Sequence, residues 1–211
     1  MKKVLIIIIM FIFIAGCTSI KDLNYDSIVN TFSAKQSKPN EYRTGYKYFL
    51  PRGMQVKDST LYNEVLDDGA YLYYLYVDVI SYYNKVENPY EVSANSVYSR
   101  RIDSDGKSGY VEINLKENNQ YLVEIMYNYA KIEVIVDKDN LNESMLSAIN
   151  ILKSIEYNDN IIANILGDNI LSFKEEKFSI FKTHSDDDGY IQVIDDYEKI
   201  VEEIPDTDLI N

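Results

Sequence analysis

Residues 110–155 read YVEINLKENNQYLVEIMYNYAKIEVIVDKDNLNESMLSAINILKSI, and the period of their apolar positions changes once along the way. In Tyr110–Lys116, Val111, Ile113 and Leu115 fall on one side and Glu112, Asn114 and Lys116 on the other. In Gln120–Asn128, Tyr121, Val123, Ile125 and Tyr127 share a face, as do Ile132, Val134 and Val136 in Lys131–Val136. A period of two marks half-buried strands. The connections, Glu117-Asn118-Asn119 and Tyr129-Ala130, are too short for crossovers, so these strands form an antiparallel meander. Beyond Asn140 the apolar residues Leu141, Met145, Ala148, Ile149, Leu152 and Ile155 recur at helical steps. Asn140 followed by Glu143 resembles a capping box at the start of that helix. Laid across one face of the sheet, the helix buries its stripe. Strands first and a helix after them give an α+β fold class: an antiparallel meander sheet with an amphipathic helix packed on one face.

Working outward, Tyr46–Leu50 reads as a short aromatic strand stopped by Pro51 and Gly53. Leu61–Leu66 is a second strand, ended by the turn signal Asp67-Asp68-Gly69. Ala70–Tyr83 is aromatic and β-branched on both alternating faces, which predicts a central strand covered on both sides. Asn84–Ser96 is a loop, Val97–Ile102 a strand and Asp103–Gly109 a turn. Residues 18–44 are polar and read as mostly tether, with a short helix within Asp22–Phe32. Residues 159–211 form a small C-terminal appendage. It has a helix through Ile161, Ile162, Ile165 and Leu166 stopped by Gly167, strands at Phe173–Phe181 and Gly189–Ile194, and an acidic end from Asp195. The α+β domain itself spans residues 45–158.

The order of these parts resembles the PsbP-like α+β module: an early aromatic strand ending in Pro51, a meander, and a helix closing with Ile151-Leu152-Lys153-Ser154-Ile155. That resemblance implies an accessory role in binding or assembly.

The N-terminus carries an address. Lys2 and Lys3 precede the apolar run Val4–Ile14, which is shorter than the roughly 20 residues a membrane-spanning helix needs. The run ends in Ile14-Ala15-Gly16-Cys17, which resembles the lipobox of bacterial lipoproteins. The resemblance implies that residues 1–16 are a signal peptide, that Cys17 takes a diacylglycerol, and that cleavage falls before it. The mature chain is then anchored by acyl chains such as palmitate on the extracytoplasmic face of a membrane. Cys17 is the only cysteine, so once acylated it leaves no thiol for a disulfide, a redox pair or a zinc site. The bias toward Ile, Asn, Lys, Asp and Tyr suggests an AT-rich, Gram-positive source.

The chain carries a net charge of -13, and loss of Lys2 and Lys3 makes it more acidic still. Such a chain is repelled by nucleic acid and by anionic headgroups, which predicts no nucleic-acid partner and a domain standing off the membrane. The sole histidine, His184, neighbours Ser185 without the third group of a triad. Asp103-Ser104-Asp105-Gly106 and Asp186-Asp187-Asp188-Gly189 begin like calcium loops, but lack Gly at the sixth position and Glu at the twelfth. No glycine-rich phosphate loop occurs. No metal and no cofactor are expected.

Twenty tyrosines and no tryptophan leave one recognition signal. Tyr73, Tyr74 and Tyr76, with Tyr82 and Tyr83 beyond them, are the candidate ligand contacts, since a phenol offers a flat apolar face and a hydroxyl to sugar or peptide. Tyrosine also simply favours strands. The expected function is a membrane-anchored, non-enzymatic binding or assembly module for an envelope protein or glycan. The alternatives are an envelope hydrolase using paired carboxylates and a secretion or assembly chaperone with an apolar groove.

Overall fold

The structure, a computed structural model, describes residues 20–60, 62–86, 90–92, 94 and 96–166. Cys17, His184, the acidic turn at 186–189 and the strands expected beyond residue 172 lie outside them.

Two sheets organise the described residues. The larger has seven strands in the order β3-β4-β5-β9-β8-β7-β6, all neighbours antiparallel. They are β3 Gln55–Thr60, β4 Asn63–Asp67, β5 Leu72–Val77, β6 Tyr98–Ser104, β7 Lys107–Leu115, β8 Gln120–Tyr127 and β9 Ala130–Asp137. The smaller sheet is β1 Glu41–Arg43, β2 Tyr46–Tyr48 and β10 Glu156–Tyr157. The α+β class and the meander β6 to β9 match the sequence reading. The turns have a local cause. Asp105-Gly106 and Asn128-Tyr129 all adopt positive φ, and the pairs Ser104↔Lys107 and Tyr127↔Ala130 close around them. Two-residue hairpins with two left-handed residues match the twist of the flanking strands.

One face of the large sheet is the core. Leu66, Tyr73, Leu75, Val111, Ile113, Val123, Ile125, Ile132, Val134 and Val136 are buried there. Helix α3, Leu141–Lys153, packs on β8 and β9 with Leu141, Met145, Ala148, Ile149 and Leu152 buried. Its start differs from the capping box: the Asn140 side chain makes no cap and donates to the Tyr71 hydroxyl at 2.9 Å. Glu64 sits on the core face with its side chain fully enclosed. It accepts from Arg43 Nε (2.9 Å) and Nη2 (2.6 Å), and from the Tyr46 and Tyr48 hydroxyls (2.8 Å each). A buried charge persists when paired and hydrogen-bonded, and this one joins the two sheets.

Three sequence expectations change. The aromatic run 70–83 is not one long strand. Asp78 caps helix α2, Val79–Asn84, by accepting from the Ser81 N–H at 2.8 Å, so β5 ends at Val77. Its core face is buried and its other face only half-buried. Residues from Ile20 onward are not free chain either. Helix α1, Tyr25–Val29, falls within the short helix expected at Asp22–Phe32, and with the turn after it buries Ile28, Val29 and Phe32 against α3. Finally α4, Asp159–Leu166, contacts α2 and buries Ile162 and Leu166, so the start of the expected appendage packs with the domain.

Candidate functional site

The sheet face away from α3 carries the polar half of each alternating strand. Register aligns these residues into rows. One row runs Val65, Tyr74, Glu133, Glu124, Glu112, Ser99 across β4, β5, β9, β8, β7 and β6. The row beside it includes Tyr76, Lys131, Met126, Tyr110 and Arg101. Three glutamates thus stand side by side on neighbouring strands, where like charges directly opposite are destabilising. Each has a partner that relieves this. Lys131 Nζ donates to Glu133 at 2.8 Å. The Tyr110 hydroxyl donates to Glu124. Glu112 accepts from the Tyr90 hydroxyl at 2.7 Å and from Asn114 at 2.8 Å, and Tyr90 also shares a hydrogen bond with Ser99.

Glu133 is the least exposed of the three, at 7%. Burial pushes its carboxyl up to about 7, and hydrogen-bonded Glu124 adds to the shift while Lys131 opposes it. Near neutral pH Glu133 is therefore partly protonated, unlike an ordinary surface carboxylate. Burial and adjacent Glu124 likewise raise the Tyr110 hydroxyl well above the usual phenol range, so it stays a donor.

Tyr90 and Tyr110 stack with their centroids 3.9 Å apart and their planes within 3° of parallel. They join the glutamate row to a groove of about 540 Å³ beside the two hairpin tips. Val86, Tyr90, Arg101, Asp103, Lys107, Tyr110, Met126 and Tyr129 contribute to its walls. That volume suits a small ligand or a short stretch of a longer one. The Asn128-Tyr129 tip is held from behind. The Tyr157 hydroxyl donates to the Asn128 carbonyl at 2.7 Å, and the Tyr82 ring meets Tyr129 edge-on at 5.7 Å while stacking on Tyr157 at 3.8 Å. Tyr129 has φ +64, where glycine is the usual occupant of such a turn. A bulky residue kept in a left-handed conformation at the rim of a groove points to use of its side chain.

The predicted tyrosines separate. Tyr73 faces the core at 1% exposure, with its hydroxyl on Asp68 (2.8 Å) and Ser144 (3.1 Å). Tyr74 and Tyr76 lie on the opposite, half-buried face, level with Glu133 and Lys131. Tyr82 and Tyr83 belong to α2. The Asp103–Gly106 stretch is the β6–β7 hairpin, with Asp103 paired to Arg101 at 3.5 Å. Among the described residues, no three His, Cys, Asp or Glu side chains are grouped to hold a metal ion. No helix among them is long and apolar enough to cross a membrane.

No family model, no curated protein and no solved structure matches this chain. The site therefore rests on its own geometry. Sequence reasoning missed Glu112, Glu124 and Glu133, yet the signal was present. Placing the left-handed pair at Asn128-Tyr129, one residue earlier than the turn read from sequence, fixes 127↔130 and hence Glu124↔Glu133.

Proposed function

We propose that this chain is a lipid-anchored extracytoplasmic lipoprotein whose α+β domain binds an envelope component without transforming it. The ligand is a short polar stretch of glycan or peptide taken up in the groove beside Tyr110 and Tyr129. The observation that carries this reading is the groove itself, with aromatic faces of Tyr90, Tyr110 and Tyr129 beside the charged rim of Arg101, Asp103 and Lys107. Aromatic faces set among many polar and charged groups suit ligands that present both ring faces and hydroxyls or amides. The resemblance of residues 14–17 to a lipobox supplies the anchor, and the PsbP-like order of elements agrees with an accessory role.

A hydrolase would draw on the same face, because Glu133, whose carboxyl burial raises, stands directly opposite Glu124. Glycoside hydrolysis needs its two carboxyls about 5 Å or more apart, with the scissile bond between them. Here the two carboxyls are direct cross-strand neighbours, one held by Tyr110 and the other by Lys131, an arrangement that favours binding over hydrolysis. The chaperone reading finds less support, because the groove's walls are largely polar.

The test uses the tyrosines. With no tryptophan in the chain, tyrosine fluorescence reports ligand entry directly. Titration with soluble peptidoglycan fragments, glycan and stem peptide separately, should give a saturable change. Tyr129→Gly should weaken it about tenfold or more, while Tm stays within a few degrees because glycine suits the turn. The absence of saturable binding by either fragment, or unchanged affinity in Tyr129→Gly, would reject the groove as the binding site.

A further inference from the structure

The structure fixes how the domain would stand on a membrane, an inference that rests on the proposed acylation of Cys17. We propose that the lipid holds one particular end of the large sheet, the end bearing Leu115–Gln120 and Asp137–Asn140, against the bilayer, so that the groove opens away from it.

The first step is reach. From Cys17 to Ile20 is three residues, so the chain spans at most about 11 Å between the acylated cysteine and the first residue of the body. The second step is that the body does begin there. Asn142, in the first turn of α3 and 8% exposed, donates to the carbonyls of Ile20 (2.9 Å), Lys21 (3.2 Å) and Leu23 (2.8 Å). The same segment is secured again near the far end of α3. There Lys153 Nζ donates to the carbonyls of Thr31 (2.9 Å) and Ala34 (3.1 Å), and the Gln36 side chain donates to the Lys153 carbonyl. Asn142 and Lys153 are separated by close to three full helical turns, so they lie on one face of α3. Ile28, Val29 and Phe32 are buried between them. Residues 20–36 are thus a strap along the helix, and not a leash.

Direction follows from chain order. Strand β9 runs from Ala130 at the groove to Asp137, and α3 starts four residues later, so Asn142 and Ile20 lie at the Asp137 end. Residues Ser104–Lys107 and Asn128-Tyr129, which line the groove, are at the other ends of the same strands. The seven steps of β8, from Gln120 to Tyr127, put about 24 Å between the two ends.

The anchor end has suitable chemistry. Ile20 (46%) and Leu115 (56%) are exposed apolar side chains. Exposed Lys21, Lys116 and Lys138 stand among Asp22, Glu117, Asp137, Asp139 and Glu143, so this end offers cations to lipid phosphate although its net charge is acidic. Lysine stems lie along an interface with their heads at phosphate.

The test uses the full chain, recovered from a lipidating bacterial host and placed in phosphatidylglycerol vesicles carrying a headgroup nitroxide. Acylation consumes the only native thiol, so Lys138→Cys or Lys107→Cys labels a single site with a fluorophore. Quenching should be several-fold stronger at 138 than at 107. A Gly/Ser stretch inserted between Cys17 and Ile20 should erase the difference. Equal quenching, or stronger quenching at 107, with the acyl mass present on Cys17 overturns the orientation alone. A chain whose Cys17 carries no acyl mass overturns the lipoprotein reading and the orientation with it.

Discussion

Glu133 couples the candidate site to pH. Its folded carboxyl titrates near 7 against an ordinary value near 4.5, with burial as the chief cause. A raised folded value means that the native state binds the proton more tightly than the unfolded chain does. The stability this contributes is complete below about 4.5 and is lost as pH rises through about 7. Gln in its place keeps the neutral form at every pH. Its carbonyl can accept from Lys131 and its amide can donate to Glu124. Glu133→Gln should therefore match the native chain at pH 5 and exceed it at pH 8 by about 1–3 kcal/mol in urea unfolding. A gap of equal size at both pH values would show that the proton on Glu133 is not its source. Glu64 illustrates what was harder to read. It alternates with Leu66 on β4, and that spacing puts it inward, but a charged residue is read as outward unless its partners are known. Those partners, Arg43, Tyr46 and Tyr48, come from strands 16–21 residues earlier in the chain.

Among the elements, the four strands from β6 to β9 were legible because both periodicity and turn chemistry recorded them. The boundaries were less so. Asp103–Gly109 is rich in Asp, Ser and Gly and reads as a single long turn, yet only Asp105-Gly106 turns. Gly109 is a strand residue opposite Tyr127. A Cβ there would stand 2.0 Å from the Met126 carbonyl oxygen and 2.8 Å from the Tyr127 Cα. Backbone cannot yield as a side chain tip does, so Gly109→Ala should part β7 from β8 at this point and cost about 3 kcal/mol or more. Faster amide exchange should concentrate at Met126 and Tyr127, next to the groove. A loss below about 0.5 kcal/mol would mean that the two strands can separate here without strain. Strand β3 was invisible for the opposite reason. Gln55–Thr60 is an edge strand exposed along most of its length, so it needs no apolar alternation, and its register shift between Val56 and Asp58 suits an edge that must not pair further.

At the scale of the molecule, the decisive difference lies in residues 20–36. Their composition is that of a linker, and although apolar spacing marked a short helix within Asp22–Phe32, composition made the segment read as mostly tether. What it could not convey is that three apolar side chains, Ile28, Val29 and Phe32, have a place waiting on α3, flanked by two polar clamps from that helix. Phe32 also meets the Tyr127 ring at 4.6 Å, which ties the strap to β8. Burying side chains of this size contributes roughly 1.5–3 kcal/mol each, a sum comparable with the whole stability of an ordinary domain, about 5–15 kcal/mol. A true tether can be removed without effect. A chain beginning at Ile20 should therefore unfold at nearly the same temperature as one beginning at Cys17→Ala, whereas a chain beginning at Asn40 should lose most of its stability or fail to fold. Thermal unfolding followed by near-ultraviolet circular dichroism distinguishes the two, because the tyrosine environments at Tyr127 and Tyr98 depend on the strap. Equal midpoints for all three chains would return residues 20–36 to the role of a leash, and the domain would then have no fixed bearing on the surface that holds it.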